Sequence, residues 1–138
     1  MTTKNRPCEK RDVDSLKTLT RRWFNADEYI DGNWNGLDVL LMDERVIGYA
    51  DCKNDLLDGM LIDFDLHRKG FGSILLSHCE NKLFKKYAVL RLECFETSRQ
   101  ANNFYLKNGW KEESRFFDKG NTNQTKILYT KKRPSIDA

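Results

Sequence analysis

The feature that most limits what this chain can fold into is the segment Arg68-Lys69-Gly70-Phe71-Gly72-Ser73, near its middle. An apolar run from about Leu57 to Phe64 leads into it and reads as a strand. Beyond it Phe71, Leu75, Cys79 and Leu83 recur at every fourth position with Ile74 beside them, which predicts an amphipathic helix to about Tyr87. A strand, a glycine turn and a helix N-terminus together make an anion site, because first-turn N–H groups lack intrahelical acceptors and the helix dipole adds positive charge there. Gly70 and Gly72 let the backbone approach a diphosphate, Arg68 and Lys69 supply counter-charge, and Ser73 supplies a hydroxyl donor. A Walker A loop is absent, and Leu75 stands where a dinucleotide fingerprint requires its third glycine. Taken alone, the turn fits a tight connection with no ligand equally well.

On the N-terminal side, Val13, Leu16, Leu19, Trp23 and Phe24 share one helical face, with Asp12 as the predicted N-cap. The polar run from Asp31 to Gly36 reads as a loop. Apolar runs at Leu37 to Met42 and Val46 to Cys52, joined by Asp43-Glu44-Arg45, predict a hairpin. On the C-terminal side, Val89 to Phe95 reads as a strand with Leu90, Leu92 and Cys94 on one face and Arg91 and Glu93 on the other. Thr97-Ser98-Arg99-Gln100 has capping-box spacing for the next helix, and Gly109 suits a left-handed C-cap. Strands at about Lys111 to Phe117 and Lys126 to Lys131 flank the turn Lys119-Gly120-Asn121. The order is mixed α/β, with an antiparallel beginning and a βαβ-like middle.

Composition bounds the partners. The chain has 138 residues, 39% of them hydrophobic and 12% aromatic, which suits one domain with a real core. No run approaches the roughly 20 apolar residues of a membrane span, and the N-terminus has no apolar core of a secretory signal. Cys8, Cys52, Cys79 and Cys94 form no C-x-x-C pair, so reduced thiols, a cytoplasmic location and no metal site are expected. A net charge of +3 is too small and too dispersed for nucleic-acid binding, and neither a nucleic acid nor a membrane is expected as partner.

Several separated pieces, in order, resemble the GNAT superfamily of N-acetyltransferases. His67-Arg68-Lys69-Gly70-Phe71-Gly72 is similar to that family's Q/R-x-x-G-x-G/A loop except at its first position. Arg6-Pro7-Cys8 before the Asp12 helix resembles the family's opening strand and helix, and Val46-Ile47-Gly48-Tyr49 its third strand. Leu90 to Cys94, followed by Ala101, Phe104-Tyr105, Lys107 and Gly109-Trp110, resembles the strand and helix that end in the family's Tyr-x-x-x-Gly-Phe/Trp signature. The resemblance implies one N-acetyltransferase domain over residues 1–138. It also implies a central, mostly antiparallel sheet of roughly six to seven strands flanked by about four helices and splayed near the cofactor. Acetyl-CoA is the implied donor. Its implied contacts are Met60, Leu61 and Ile62, the loop from His67 to Ser73, and Ser98, Ala101 and Tyr105 on the late helix. Two positions depart from the pattern: His67 replaces Arg or Gln, and Ser98 replaces a frequent Asn, where it would either meet the pantetheine or simply cap the helix.

Acyl transfer to an amine requires a base for the amine proton, a donor for the oxyanion and an acid for the departing thiolate. The resemblance places Tyr105 as the acid; ordinary packing is the alternative role for a tyrosine at this helical spacing. Glu93 stands at the strand position of the general base in the ribosomal-protein N-terminal acetyltransferase branch, and a surface ion pair is its alternative role. Asp58 is the second candidate base, acting through water. In the same family the backbone of Met60 to Ile62 polarises the acetyl carbonyl. His78 is most simply a helix residue, and the inward parity of Cys94 favours a buried structural thiol. The expected acceptor is a primary amine of a small molecule or a protein, met by the first helix region, the Asp27 to Gly36 segment and the last hairpin. A non-catalytic acyl-CoA-binding sensor of the same fold is the competing function. A homodimer is expected only by analogy with the fold.

Overall fold

The computed structural model describes residues 1–135, so the last three residues of the expected domain lie outside it. Seven strands form a mixed sheet in the order β1-β2-β3-β4-β5-β7-β6. They are β1 (Thr3–Pro7), β2 (Leu37–Met42), β3 (Arg45–Lys53), β4 (Leu56–Ile62), β5 (Val89–Phe95), β6 (Lys111–Phe117) and β7 (Thr125–Lys132). Four α-helices accompany them: α1 (Val13–Thr20), α2 (Asp27–Asn33), α3 (Phe71–Phe84) and α4 (Arg99–Lys107). The registers β1–β2, β2–β3, β5–β7 and β6–β7 are antiparallel. β4 and β5 run parallel through Leu56↔Arg91 and Leu57↔Leu92. The expected strand count, mostly antiparallel sheet and four helices are all present.

The chain divides into two compact units, the first formed by Met1–Cys52 and Gly59–Cys79. Its core gathers Cys8, Leu16, Ala26, Ile30, Leu37, Val39, Leu41 and Tyr49. The β2–β3 hairpin turns on Asp43 and Glu44 at φ 48° and 70°, the paired positive values of a two-residue turn matched to strand twist. Phe71, Leu75 and Cys79, the predicted helix stripe, are buried with Leu76. Three expectations change here. The N-terminal helix stops at Thr20, leaving Trp23 and Phe24 exposed rather than in its apolar face. Asp12 offers α1 no side-chain cap; its carboxylate instead accepts from the Glu9 N–H at 2.8 Å and pairs with Arg6. The segment read as a loop is the end of α2 followed by a 3-10 turn at Trp34–Gly36. Fully buried Ile30 anchors that helix, and the Tyr29 hydroxyl donates to Asp51. Tertiary anchoring here overrides the local preference of Gly32 and Asn33.

The second unit comprises Lys53–Asp58 and the chain from Glu80 onward. Among its described residues, the buried apolar side chains are Leu57, Leu83, Leu90, Leu92, Cys94, Trp110, Ile127 and Tyr129. The Asp55 carboxylate accepts two hydrogen bonds from Arg91, at 2.9 and 3.0 Å, and the Arg91 N–H donates to the Asp55 carbonyl. These bonds fix the start of β4 on β5. A register irregularity between Glu112 and Ser114 interrupts the β6–β7 ladder.

Candidate active site

The first unit carries Met60 to Ile62 and the loop from His67 to Ser73, and the other predicted cofactor contacts, Ser98, Ala101 and Tyr105, belong to the second. Arg68 and Gly70 have φ of 65° and 87°, so the turn into α3 is built from left-handed residues, and a Cβ added at Gly70 would meet nothing within 4 Å. Arg68, Lys69 and Gly70 are exposed, Phe71 is buried as the first residue of α3, and Gly72 and Ser73 are half-buried. Left-handed residues preceding a helix aim successive N–H groups outward. With two cations beside them and open space over Gly70, this turn fits an anionic diphosphate.

His67 faces elsewhere. Its Nε2 lies 2.9 Å from the Ile62 carbonyl, which only accepts, so the ring donates from Nε2–H. The ring also stacks on Trp23 at 5.7 Å. The side chain is therefore committed to the end of β4. Met60 and Leu61 are half-buried and Ile62 is buried. Gly48 of β3 lies so close to this stretch that an added Cβ would stand 2.7 Å from the Leu61 carbonyl oxygen.

The second unit carries the candidate acid and bases. Tyr105 is half-buried on α4, its ring 6.3 Å from Trp110 and 6.2 Å from Tyr129. Tyr129 pairs with Leu92 and therefore shares its face of the sheet. Glu93 and Asp58, each one residue on from a buried leucine, occupy the opposite face. The acid candidate thus belongs to one face and both base candidates to the other. Glu93 has an ammonium neighbour, Lys126, at 3.5 Å, and Asp58 has Lys53 at 3.1 Å. Lys126 also lies over the Phe95 ring and 3.5 Å from Asp118, so it tethers three groups of this face.

A family model described as "Acetyltransferase (GNAT) family" matches residues 5–110. The chain belongs to that family. Solved structures carry the same fold at low identity. A GNAT-family acetyltransferase from Bacillus cereus ATCC 10987 is similar with a TM-score of 0.83 and 14% identity, over 98% of this chain and 100% of that one. The ribosomal-protein-S18-alanine N-acetyltransferase from Escherichia coli gives 0.77 and 18%, over 99% of each chain. The PaiA N-acetyltransferase from Thermoplasma acidophilum, in complex with coenzyme A, gives 0.72 and 19%, over 96% of this chain and 100% of that one. No curated protein matches the sequence as a relative.

Within this GNAT chain, the residue that holds the start of α4 was not foreseen, whereas Gly109 at its end has the left-handed φ, 90°, expected of it. Ser98 is the N-cap by position, yet its side chain makes no capping bond. Asn102 holds the entry to the helix instead: its amide donates to the Phe95 and Ser98 carbonyls at 3.0 and 2.9 Å, and its Oδ1 accepts from the Tyr129 hydroxyl at 2.6 Å. At the other end the Gly109 N–H donates to Leu106 and the Trp110 N–H to Tyr105, the paired bonds of a Schellman cap. Glu80 then accepts from the Trp110 indole at 3.0 Å and the Lys131 ammonium at 2.7 Å. In the sequence, Asn102 at an inward helical position signalled the start of this frame and Gly109 its end. Ala101 is half-buried on the same helix. Cys94 is a buried thiol, pushed up by desolvation, as its parity implied. His78 is a helix residue 3.7 Å from the buried Asp38. Among the described residues no cluster of His, Cys, Asp and Glu is arranged to hold a metal, and no helix is long and apolar enough to cross a membrane.

Proposed function

We propose that residues 1–138 act as one N-acetyltransferase domain that moves an acetyl group from acetyl-CoA to a primary amine of a small molecule or protein. The observation that carries this reading is the left-handed, cationic turn from Arg68 to Gly70 at the head of α3, in a chain of the GNAT family. The coenzyme A of the Thermoplasma acidophilum structure supports the choice of donor. Arg68, Lys69 and the N–H groups of Gly70 to Ser73 would hold the diphosphate, and the backbone of Met60 to Ile62 the pantetheine. Acetyl-CoA, when bound, supplies the activated thioester. Tyr105 then donates its phenolic proton to the departing sulfur. Its helix is fixed at both ends, which limits the freedom of the hydroxyl. Glu93, or Asp58 through a water, takes the proton of the acceptor amine from the opposite face. In either case the neighbouring lysine must yield part of its ion pair as the acceptor binds. Ser98 and Ala101 line the cofactor from α4.

Titration with acetyl-CoA followed by a free-thiol assay over a panel of amines tests this. The wild type is expected to bind and turn over at least one amine. Tyr105→Phe should lower kcat about 100-fold with little change in Kd. Tight binding with no turnover on any amine would assign a non-catalytic acyl-CoA-binding module, and unchanged turnover in Tyr105→Phe would remove the acid role.

A further inference from the structure

Lys126 of β7 is held beside one of the candidate bases by an arrangement that transfer to a separate acceptor does not use. In the β5–β7 register Phe95 faces Lys126 directly and Glu93 faces Leu128, so alternation puts Glu93, Phe95 and Lys126 on one face, opposite Tyr129. Three groups meet the ammonium there. Glu93 Oε1 and Asp118 Oδ2 each lie 3.5 Å from Lys126 Nζ, and the Phe95 ring centroid lies 5.5 Å from it. The Lys126 side chain is only 19% exposed, whereas Lys53, beside the other candidate base, is 52% exposed. A surface lysine ordinarily keeps its ammonium in water. Here two carboxylates and an aromatic face fix it at one place.

That place is the one an acceptor amine must reach. A protonated amine becomes a nucleophile only after a base removes a proton, and the base does so from hydrogen-bond distance or through one water. Lys126 brings a primary ammonium to within 3.5 Å of Glu93 with no encounter step, an intramolecular advantage that a free amine lacks. Uncatalysed acetylation by a thioester follows exposure and would favour lysines such as Lys85 and Lys86, both exposed. We propose that Lys126 is an autoacetylation site: the chain transfers an acetyl group from its own acetyl-CoA to Lys126 Nζ, with Glu93 as base. This rests on the reading of the chain as an acetyl-CoA-dependent N-acetyltransferase whose base is Glu93. Glu93 takes one proton from the ammonium. The resulting amine forms the N–C bond to the acetyl carbon as the C–S bond breaks. Tyr105 protonates the departing sulfur, the second proton lost from nitrogen restores the phenol through solvent, and Glu93 releases its proton to water. The product is a neutral acetamide that no longer pairs with Glu93.

The test incubates the full chain with saturating trideuteroacetyl-CoA and no added amine, then reads intact and peptide masses. One label per chain is expected, on Lys126 and ahead of Lys85 and Lys86, at a rate unchanged when the protein is diluted about tenfold. Lys126→Arg keeps a cation beside Glu93 and Asp118; it should lose the label while still binding acetyl-CoA. Glu93→Gln should slow the labelling about 100-fold, with an unchanged far-ultraviolet circular dichroism spectrum showing that it folds. Label confined to exposed lysines, or on Lys53 in place of Lys126, would overturn the proposal. So would equal rates in wild type and Glu93→Gln, or a rate that rises with protein concentration. Turnover of an added amine with Lys126 unlabelled would overturn the autoacetylation alone. A wild type that binds acetyl-CoA yet neither labels itself nor acetylates any amine would overturn the N-acetyltransferase reading as well.

Discussion

Asp12 sits where the sequence places a helix cap, yet its carboxylate turns back into the chain. It accepts from both terminal nitrogens of Arg6, at 2.7 and 3.0 Å, and from the Glu9 N–H, while only 5% of the residue is exposed. The Arg6 bonds hold its carboxyl below the usual range, with the Glu9 N–H assisting and burial opposing. The sign of the pH effect follows. The unfolded chain, with an aspartate near about 3.9, binds this proton more readily than the folded one, so the stabilisation is complete above that value. It is lost as pH falls through the lower folded value. Urea midpoints of the wild type should therefore hold from pH 7 to about 5 and fall below about 4, and the fall should be shallower in Asp12→Asn. Arg6→Met at neutral pH leaves the buried carboxylate without its guanidinium and should cost about 3 kcal/mol. An acid fall as steep in Asp12→Asn as in the wild type would exclude this pair as a source.

At the scale of elements, β3 approaches β4 closely at Gly48. A methyl there would stand 2.7 Å from both the Leu61 carbonyl oxygen and Ile62 Cδ1, and the former is backbone that cannot rotate away. Gly48→Ala should destabilise by about 1–3 kcal/mol in chemical denaturation. Because Leu61 lies in the stretch proposed to hold pantetheine, the variant should also raise the Kd for acetyl-CoA. Unaltered stability would show that β4 can retreat without cost. Elements whose signal is periodic were legible in the sequence: the α3 stripe, the alternation of β5, and the hairpin turning at Asp43-Glu44. Those decided by distant partners were not. α2 depends on Ile30 entering the core and on Asp51 receiving Tyr29, and neither is visible within a polar stretch. The same holds at the candidate site. The glycine turn into α3 was readable as a local motif, and Tyr105 was named from the family resemblance. The direction of the His67 ring was not, because Trp23, distant in sequence, sets it together with the Ile62 carbonyl five residues back.

For the whole molecule, the division into two units runs through three continuous elements. The boundary falls between Cys52 and Lys53 inside β3, between Asp58 and Gly59 inside β4, and between Cys79 and Glu80 inside α3. The units share these elements along the chain, and we propose that they unfold together as one cooperative domain. The tryptophans allow this to be tested, since Trp23 and Trp34 report on the first unit and Trp110 on the second. Variants retaining Trp110 alone, or Trp34 alone, should give fluorescence transitions that coincide with each other and with far-ultraviolet circular dichroism. Acetyl-CoA should move all of them together, because a ligand bound only by the native state stabilises by about 2.7 kcal/mol at 100 times its Kd. Two separated transitions, with the ligand shifting only one, would instead make the units independent domains. They would also confine acetyl-CoA's stabilising contacts to whichever unit moved, and the proposal that α4 residues contact the cofactor would fail if that unit were the first.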